Sequence, residues 1–330
     1  MKRMLVLALF LALAVSVAAQ AGEKKFVFKI GFSTNMEDPR ALAAEKFKEE
    51  IEKESGGTLS AQLYPSGQLG GDAALIEAMA LDSGTVDILI SDASNFATYE
   101  PKMGISALPF NFKTYEDAWE FMDSDIHKEV EELLVDHNMR VLSSYCNGFR
   151  CVTTSKIVVN SPDDMKGMLI RTPENPVIMA TMRALGANPQ PLAFSELYMA
   201  LQQGTYDAQE NPIPVIYNNK LFEVQKNLSI TNHIYSGMCF TVAESVWAQL
   251  SDKQKEIVIA AAKSSSAFNR EMNKKMADEF INTLGTTGGM QIVNPDLAPF
   301  MAATRKVLDD GKGIYGDDLL GRLEKWKAER

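Results

Sequence analysis

A run of 33 residues without glycine or proline, from 252 to 284, most constrains what this chain can fold into. It opens with Ser251-Asp252-Lys253-Gln254, a capping box in which the serine and glutamine side chains close the first turn of a helix. At 1.5 Å per residue one helix of this length reaches about 50 Å, more than the diameter of one domain. Its predicted apolar side comprises Ile257, Ala261, Phe268, Met272, Met276 and Phe280. We expect one helix that braces two lobes. The alternative is two helices broken between residues 264 and 266, because serine is a mediocre helix former.

The rest of the chain alternates strand and helix patterns, which predicts an α/β fold with a mostly parallel sheet covered by helices. Apolar strand patterns lie at 26–32, 59–63 and 86–90, and helices are expected between them. The alternation restarts near residue 161, with a strand at 168–171 and a helix that begins at Pro176.

Two long extended stretches, 140–154 and 232–242, each carry a glycine in the middle, Gly148 and Gly237. With the long helix they give three crossings between two lobes, and interleaved crossings of this kind make a hinge. A bilobed molecule with a cleft between its lobes is a common way to bind a small solute. The predicted division is 22–147 plus about 237–270 for lobe I, and 148–236 plus about 271–330 for lobe II.

The first residues indicate the compartment. Lys2 and Arg3 precede an uncharged run from 4 to 17, followed by the small residues of an Ala19-Gln20-Ala21 cleavage site. This run is shorter than the roughly 20 residues that span a bilayer, which favours a secretory signal peptide over 1–21 and leaves an uncleaved anchor as the alternative. Cleavage would change the net charge from −10 to −12. A surface this acidic argues against nucleic acid or anionic lipid as partner, and the mature chain is not expected to insert into a membrane.

Neither the cysteines nor the histidines form a motif for a metal site. The histidines are His127, His137 and His233, and their positions do not follow a zinc-ligand spacing. We therefore expect no metal and no cofactor. The cysteines are Cys146, Cys151 and Cys239. Buried thiols are expected, and pairing of Cys146 with Cys151 is the alternative.

Two arginines lie in otherwise apolar, strand-like sequence, at Gly148-Phe149-Arg150 and at Ile170-Arg171-Thr172-Pro173. Arginine stays ionised in proteins, presents a planar fork of donors that matches a carboxylate, and is costly to bury without an acceptor. The two arginines therefore predict an anion site. A protein carboxylate such as Glu174 or Glu210 is the alternative acceptor for Arg171.

Several segments in combination resemble the DctP-type solute-binding proteins of TRAP transporters, and the resemblance covers the whole mature chain. The segments are Tyr64-Pro65-Ser66-Gly67-Gln68-Leu69-Gly70-Gly71, Ser161-Pro162-Asp163-Asp164-Met165-Lys166-Gly167, Ile170-Arg171-Thr172-Pro173 and Leu201-Gln202-Gln203-Gly204-Thr205-Tyr206-Asp207-Ala208-Gln209-Glu210-Asn211-Pro212. The resemblance implies a two-lobed periplasmic binding protein of the Venus flytrap type, which is not an enzyme. Such a protein closes on a small organic acid and delivers it to a TRAP membrane permease. We expect it to be a monomer.

The same resemblance implies roles for three residues. Arg171 matches the principal arginine of the family, which forms a bidentate salt bridge with the ligand carboxylate, and Arg150 looks like the second cationic ligand. Asn211 lies where the family places an asparagine that hydrogen-bonds this carboxylate. The alternatives are that Arg150 pairs with neighbouring acids and that Asn211 is a turn residue before Pro212.

Weaker signals concern the other end of the ligand. Asp92 follows the strand at 86–90 and could accept from a ligand hydroxyl or ammonium group, or else cap a helix. Aromatic candidates for lining the cleft, each with a core position as the alternative, are Phe32, Phe149, Phe194, Tyr198, Tyr217 and Tyr235. The ligand stays open among dicarboxylates, sugar acids, keto acids and aromatic or amino-acid-like acids.

Other functions have less support. Gly311-Lys312-Gly313-Ile314-Tyr315-Gly316 matches a dinucleotide-binding pattern, but it follows a predicted helix at 297–310 and not a strand, so we expect a loop there. An exported hydrolase or lyase lacks a recognisable nucleophile and base. A ligand-presenting subunit of a membrane sensor would have the same fold and site, and the sequence does not separate it from a transport protein.

Overall fold

A computed structural model describes residues 24–329, so the predicted signal peptide over 1–21 lies outside the described residues. The strands are β1 (Phe26–Gly31), β2 (Leu59–Tyr64), β3 (Ile88–Asp92), β4 (Met139–Thr154), β5 (Leu169–Thr172), β6 (Asn188–Pro191), β7 (Ala208–Pro212), β8 (Asn227–Ala243) and β9 (Gln291–Val293). The α-helices are α1 (Pro39–Glu54), α2 (Asp72–Ala80), α3 (Tyr115–Met122), α4 (Asp125–Glu132), α5 (Pro176–Ala184), α6 (Phe194–Gln202), α7 (Ile213–Asn218), α8 (Glu244–Trp247), α9 (Asp252–Gly285), α10 (Ala298–Asp310) and α11 (Lys312–Ala328). Short 3₁₀ helices cover Ala93–Thr98, Pro101–Ala107, Leu133–His137, Pro162–Met165 and Leu221–Glu223.

One nine-stranded sheet runs through the described residues in the order β2-β1-β3-β8-β4-β7-β5-β6, and β9 pairs with β8. Strands near both ends pair in parallel, β1 with β2 and β3, and β5 with β6 and β7. The middle is antiparallel. β4 pairs with β8 and with β7, and β8 also pairs with β3, each in the antiparallel direction. The fold is the expected two-lobed α/β architecture, but the prediction of a mostly parallel sheet was wrong for its centre, where the two long strands cross in opposite directions.

The two glycines of the crossing strands meet at one irregularity. Cys146 pairs with Gly237 and Gly148 with Ser236, and the register shifts between Cys146 and Gly148. Gly148 has a φ of 113°, a conformation that residues with a Cβ atom rarely adopt. A Cβ atom there would also lie 3.1 Å from Oδ1 of Asn273. A glycine is therefore needed at the point where β4 bulges.

Helix α9 is one continuous helix of 34 residues, and the alternative of a break at its serines was wrong. The serines instead attach the helix to β4: Ser266 Oγ donates to the carbonyl of Ser144 at 2.5 Å, and the Tyr145 hydroxyl donates to Ser265 Oγ at 2.6 Å. The predicted capping box is present at Ser251 and Gln254. These bonds fix the helix across the middle of the sheet.

The buried face of α9 differs from the predicted apolar side at most positions, although Ala261 is buried as expected. Its buried residues include Val258, Ala262, Asn269, Asn273 and Ala277, whereas Ile257 and Phe268 are only partly buried. Asn269 Oδ1 accepts from the backbone N–H of Cys146 at 2.6 Å, and Asn273 Nδ2 donates to the carbonyl of Asn147 at 3.0 Å. The asparagines are buried because they complete the backbone hydrogen bonding of the β4 bulge.

The two C-terminal helices pack on different parts of the molecule. Helix α10 lies against α5, and α11 lies against the 3₁₀ helix Pro101–Ala107 and α4. Arg322 of α11 donates to both carboxylate oxygens of Glu129 at 2.6 and 2.9 Å, and the ring of Trp326 contacts Phe121. The division into lobes stays a prediction, and this packing places α11 beside residues assigned to lobe I although 271–330 were assigned to lobe II.

The glycine-rich segment at 311–316 is not the expected loop. Gly311 ends α10, and Gly316 interrupts α11 with a φ of 73° and a ψ of 159°. The segment joins two helices and follows no strand, so it lacks the strand, turn and helix order of a dinucleotide-binding motif.

Candidate functional site

A small cavity of about 40 Å³ lies where the ends of several strands meet. Five of the eight predicted site residues line it, and they are Asp92, Arg150, Arg171, Phe194 and Asn211. They come from β3, β4, β5, β7 and the start of α6. Asp92 and Asn211 lie at or near the carboxyl ends of their strands, where open α/β sheets commonly bind ligands.

Arg171 is a buried cation without a carboxylate partner. Its side chain is in β5, and the residue is 2% exposed. Nε and Nη2 both donate to the carbonyl of Leu192, at 2.9 and 2.5 Å, and no carboxylate within residues 24–329 forms an ion pair with the guanidinium. Burial lowers the pKa of Arg171 to about 10, so the group remains charged at neutral pH. Burying an uncompensated charge is costly, so this position favours an incoming anion.

Arg150, by contrast, forms a buried ion pair with Glu210. Nε donates to Oε2 at 2.5 Å, and Nη2 donates to Oε1 at 2.7 Å and to the backbone carbonyl of Glu210 at 2.8 Å. Arg150 is 3% exposed and Glu210 is fully buried. Pairing with a neighbouring acid was the alternative considered for Arg150, and the structure has this pair. The charge of Arg150 is therefore already neutralised within the protein.

The ion pair sets the protonation of its neighbours. Burial alone would raise the pKa of Glu210, but the charge and hydrogen bonds of Arg150, together with a contact to His233, lower it to about 2. His233 Nε2 lies 3.2 Å from Glu210 Oε2, and burial lowers the pKa of the imidazole. Glu210 is thus a carboxylate and His233 is neutral at neutral pH.

Asn211 and Asp92 both line the cavity, but each is engaged by protein groups. Asn211 Nδ2 donates to Gln209 Oε1 at 2.6 Å, and its Oδ1 accepts from Arg150 at 3.2 Å. Asp92 caps the 3₁₀ helix Ala93–Thr98, since its Oδ1 accepts from the backbone N–H of Ser94 at 2.9 Å. Its Oδ2 accepts from the hydroxyl of Ser236. The amide of Asn211 keeps one N–H that these bonds do not use.

The structure adds cavity residues that the sequence analysis missed, among them Ser33, Thr34, Arg40, Asp72, Asn95 and Asn147. Arg40 is the most informative because it is a third buried arginine: Nε donates to Asp38 Oδ1 at 3.1 Å and Nη2 donates to Asn147 Oδ1 at 2.8 Å. One local signal could have identified it. Arg40 is in the first turn of α1, where the helix dipole disfavours a cation. An arginine at this position therefore indicates contacts with other parts of the fold.

The other three predicted site residues lie in aromatic packing and not in the lining of this cavity. Phe149 and Tyr235 contact each other, with ring centroids 5.3 Å apart, and both contact Tyr115. Tyr217 stacks on Phe280 at 4.0 Å. Tyr235 is buried, and Phe149 and Tyr217 are partly buried against the core, which is the alternative considered for these aromatic residues.

A larger opening of about 440 Å³ adjoins the small cavity and shares Asp72, Arg171 and Phe194 with it. One side of this outer cleft is formed by Gly71 and the start of α2, the other by Leu192 and Ala193 before α6. The ring of Phe194 lies 5.8 Å from the guanidinium carbon of Arg171. A ligand with one end on Arg171 would therefore have room for the remainder in the outer cleft.

The sequence profile of bacterial extracellular solute-binding protein family 7, DctP, matches residues 30–312. The chain belongs to this family. The 2,3-diketo-L-gulonate-binding periplasmic protein YiaO of Escherichia coli is 32% identical over 87% of this chain and 85% of its own length. The C4-dicarboxylate-binding periplasmic protein DctP of Rhodobacter capsulatus is 31% identical over 97% and 96% of the two chains.

Among solved structures, a TRAP periplasmic solute-binding protein from Polaromonas bound to D-erythronate has a TM-score of 0.87, with 33% identity over 91% of this chain and 98% of that one. The DctP family comprises binding proteins. The chain is therefore a solute-binding protein of TRAP type, and its resemblance to that family is confirmed.

Three further observations concern only residues 24–329. This part of the chain contains no group of three or more histidine, cysteine, aspartate or glutamate side chains that could hold a metal ion. Its cysteines, Cys146, Cys151 and Cys239, are buried free thiols. No helix in this range is both long and apolar enough to cross a membrane.

Proposed function

We propose that this protein captures an organic acid between its lobes, with the carboxylate on Arg171, and delivers the acid to a TRAP membrane permease. Arg150 and Asn211 support the site, Arg150 through its pair with Glu210 and Asn211 through its remaining amide N–H. The signal peptide over 1–21 would export the chain to the periplasm, where it would act as a monomer.

The observation that carries the proposal is the missing counter-ion of Arg171. The guanidinium is buried, remains charged, and makes hydrogen bonds only to the Leu192 carbonyl among the described residues. A carboxylate that arrives in a cleft shielded from water can form a charge-assisted pair of hydrogen bonds with it. Lysine would not reproduce the planar fork of donors.

The ligands named for the relatives are also organic acids, a diketo sugar acid for YiaO, a C4-dicarboxylate for DctP and D-erythronate for the Polaromonas protein. They share a carboxylate and differ in the rest of the molecule. This agrees with a site in which Arg171 receives the common group.

The purified mature protein is first dialysed to remove copurified ligand. It is then titrated with a panel of acids, and binding is measured by calorimetry. One acid should bind tightly and without turnover. Arg171→Ala should weaken that binding by at least about 2–5 kcal/mol, the usual cost of removing one partner from a buried charge pair. Arg305→Ala is the matched control because Arg305 is exposed on α10. This variant should bind the acid as tightly as the wild type does. Equal affinities for Arg171→Ala and the wild type would contradict the assignment.

A second experiment addresses the partner. Copurification of the tagged protein from solubilised membranes should recover a permease subunit. Recovery of a sensor protein in its place would favour the ligand-presenting alternative.

A further inference from the structure

Charges around the cavity are unequally compensated. Of the three arginines that line it, Arg150 pairs with Glu210 and Arg40 pairs with Asp38. Only Arg171 lacks a carboxylate partner among the described residues. The site therefore offers a ligand one guanidinium that forms no ion pair with a carboxylate in this part of the chain.

Two carboxylates that line the small cavity, Asp72 and Asp92, form no ion pair among residues 24–329, and a third, Glu174, lines the outer cleft. Asp72, the first residue of α2, lines both the small cavity and the outer cleft together with Arg171. Its Oδ1 accepts from the hydroxyl of Ser91 at 2.7 Å, which leaves Oδ2 open to another donor. Asp92 adds a second negative charge, although its oxygens already accept from Ser94 and Ser236.

Two further groups on the wall of the cavity are available to a ligand, the hydroxyl of Thr34 and the guanidinium of Arg40. Thr34 is 2% exposed, and its hydroxyl oxygen is buried without a hydrogen-bond partner in the described structure. Buried hydroxyls are nearly always hydrogen-bonded, so an unpaired one in a binding cavity indicates a place for a ligand group. Arg40 uses Nε and Nη2 for Asp38 and Asn147, and Nη1 is left as a further donor.

We infer that the site selects an acid with a single carboxylate and neighbouring hydroxyl groups, and that Asp72 excludes dicarboxylates. This inference rests on the proposed function, since it assumes that a carboxylate binds Arg171. The second carboxylate of a dicarboxylate would be placed among Asp72 and Asp92 with no cation left to neutralise it. Like charges in a cleft of low dielectric repel strongly, and such repulsion is an effective way to reject a similar ligand.

A hydroxyl group fits the wall better than an ammonium group does. It can donate to Asp72 and also accept from Thr34 or Arg40, because a hydroxyl has both a donor and acceptor lone pairs. An ammonium group has donors only, so it would leave the donors of Thr34 and Arg40 without an acceptor. The chemistry of the wall therefore favours a hydroxy acid over an amino acid.

The experiment uses acids of equal chain length, so that only the chemistry of the distal groups differs. Wild-type protein is titrated by calorimetry with D-erythronate, which has one carboxylate and three hydroxyls, with succinate, which has two carboxylates, and with 4-aminobutanoate. D-Erythronate should bind at least about 100-fold more tightly than either of the others. Equal or tighter binding of succinate or 4-aminobutanoate, with binding still dependent on Arg171, would overturn the inference and leave the proposed function intact. No binding of any of the three would also overturn it.

The variant Asp72→Asn tests the residue assigned to the exclusion. It removes the negative charge and keeps the shape, so the affinity for succinate should rise about 10-fold relative to that for D-erythronate. Asp317→Asn, an exposed aspartate on α11, is the matched control and should leave the ratio unchanged. An unchanged ratio in Asp72→Asn would overturn the assignment of the exclusion to Asp72.

Discussion

Arg150 and Arg171 line the same cavity and are almost equally buried, at 3% and 2% exposure, yet the protein treats their charges differently. Arg150 on β4 is held by both carboxylate oxygens of Glu210, whereas Arg171 on β5 reaches only a backbone carbonyl. A charge that is neutralised inside the protein contributes to structure, and one that is left without a partner is available to a ligand. Burial alone does not distinguish the two roles.

The largest expected effect is a difference in the free energy of unfolding when each of the two arginines is replaced. Arg150→Met leaves Glu210 buried without its cation, which should lower the free energy of unfolding by about 3–5 kcal/mol. Arg171→Met removes a charge that has no partner, so the ligand-free protein should lose no more than about 1 kcal/mol, the value of its hydrogen bonds to Leu192. Urea unfolding of both ligand-free variants, followed by circular dichroism, measures the difference.

Equal destabilisation by the two substitutions would contradict the comparison, because it would mean that Arg171 is also a structural residue. Ligand binding provides the converse measurement. Arg171→Met should abolish binding although it folds normally, which a merely destabilised protein would not do.

Sequence reasoning identified the two arginines but not their different partners. The absence of glycine and proline was enough to predict α9, and the extended glycine-containing stretches were enough to predict the long strands β4 and β8, because these signals are local. Arg40 depends on Asn147, which is 107 residues away, and Asn269 and Asn273 are buried only because β4 bulges beneath α9. Periodicity assigns such polar residues to solvent, so the polar part of the site required the tertiary structure.

The next effect is the pH dependence of the stability that the ion pair between Arg150 and Glu210 contributes. Arg150 lowers the pKa of Glu210 from its ordinary value of 4.5 to about 2 in the folded protein. Because the folded-state pKa is the lower one, the stabilisation is present above about pH 4.5 and is lost as the pH falls towards 2. His233 acts in the same direction, since burial lowers its pKa and unfolding allows it to become protonated.

Unfolding free energies of the wild type and Glu210→Gln, measured from pH 7 to pH 2, test this dependence. The variant should be less stable at neutral pH, and the two curves should converge below pH 4.5. A constant difference across this range would show that Glu210 stabilises the fold through something other than its ionised pair with Arg150.

The smallest expected effect concerns the ring beside Arg171. Phe194 lies 5.8 Å from the guanidinium carbon, and a cation–π contact at such a partly exposed position contributes about 0.5–1 kcal/mol. Phe194→Leu should therefore weaken ligand binding about 2- to 5-fold, mainly through faster dissociation measured by stopped-flow fluorescence. Phe149→Leu is the control on the Arg150 side, because that ring packs against Tyr115 and Tyr235 and does not line the cavity. If both variants lost affinity equally, the ring of Phe194 would have no specific effect on the Arg171 site, and the difference between the two arginines would not extend to their aromatic neighbours.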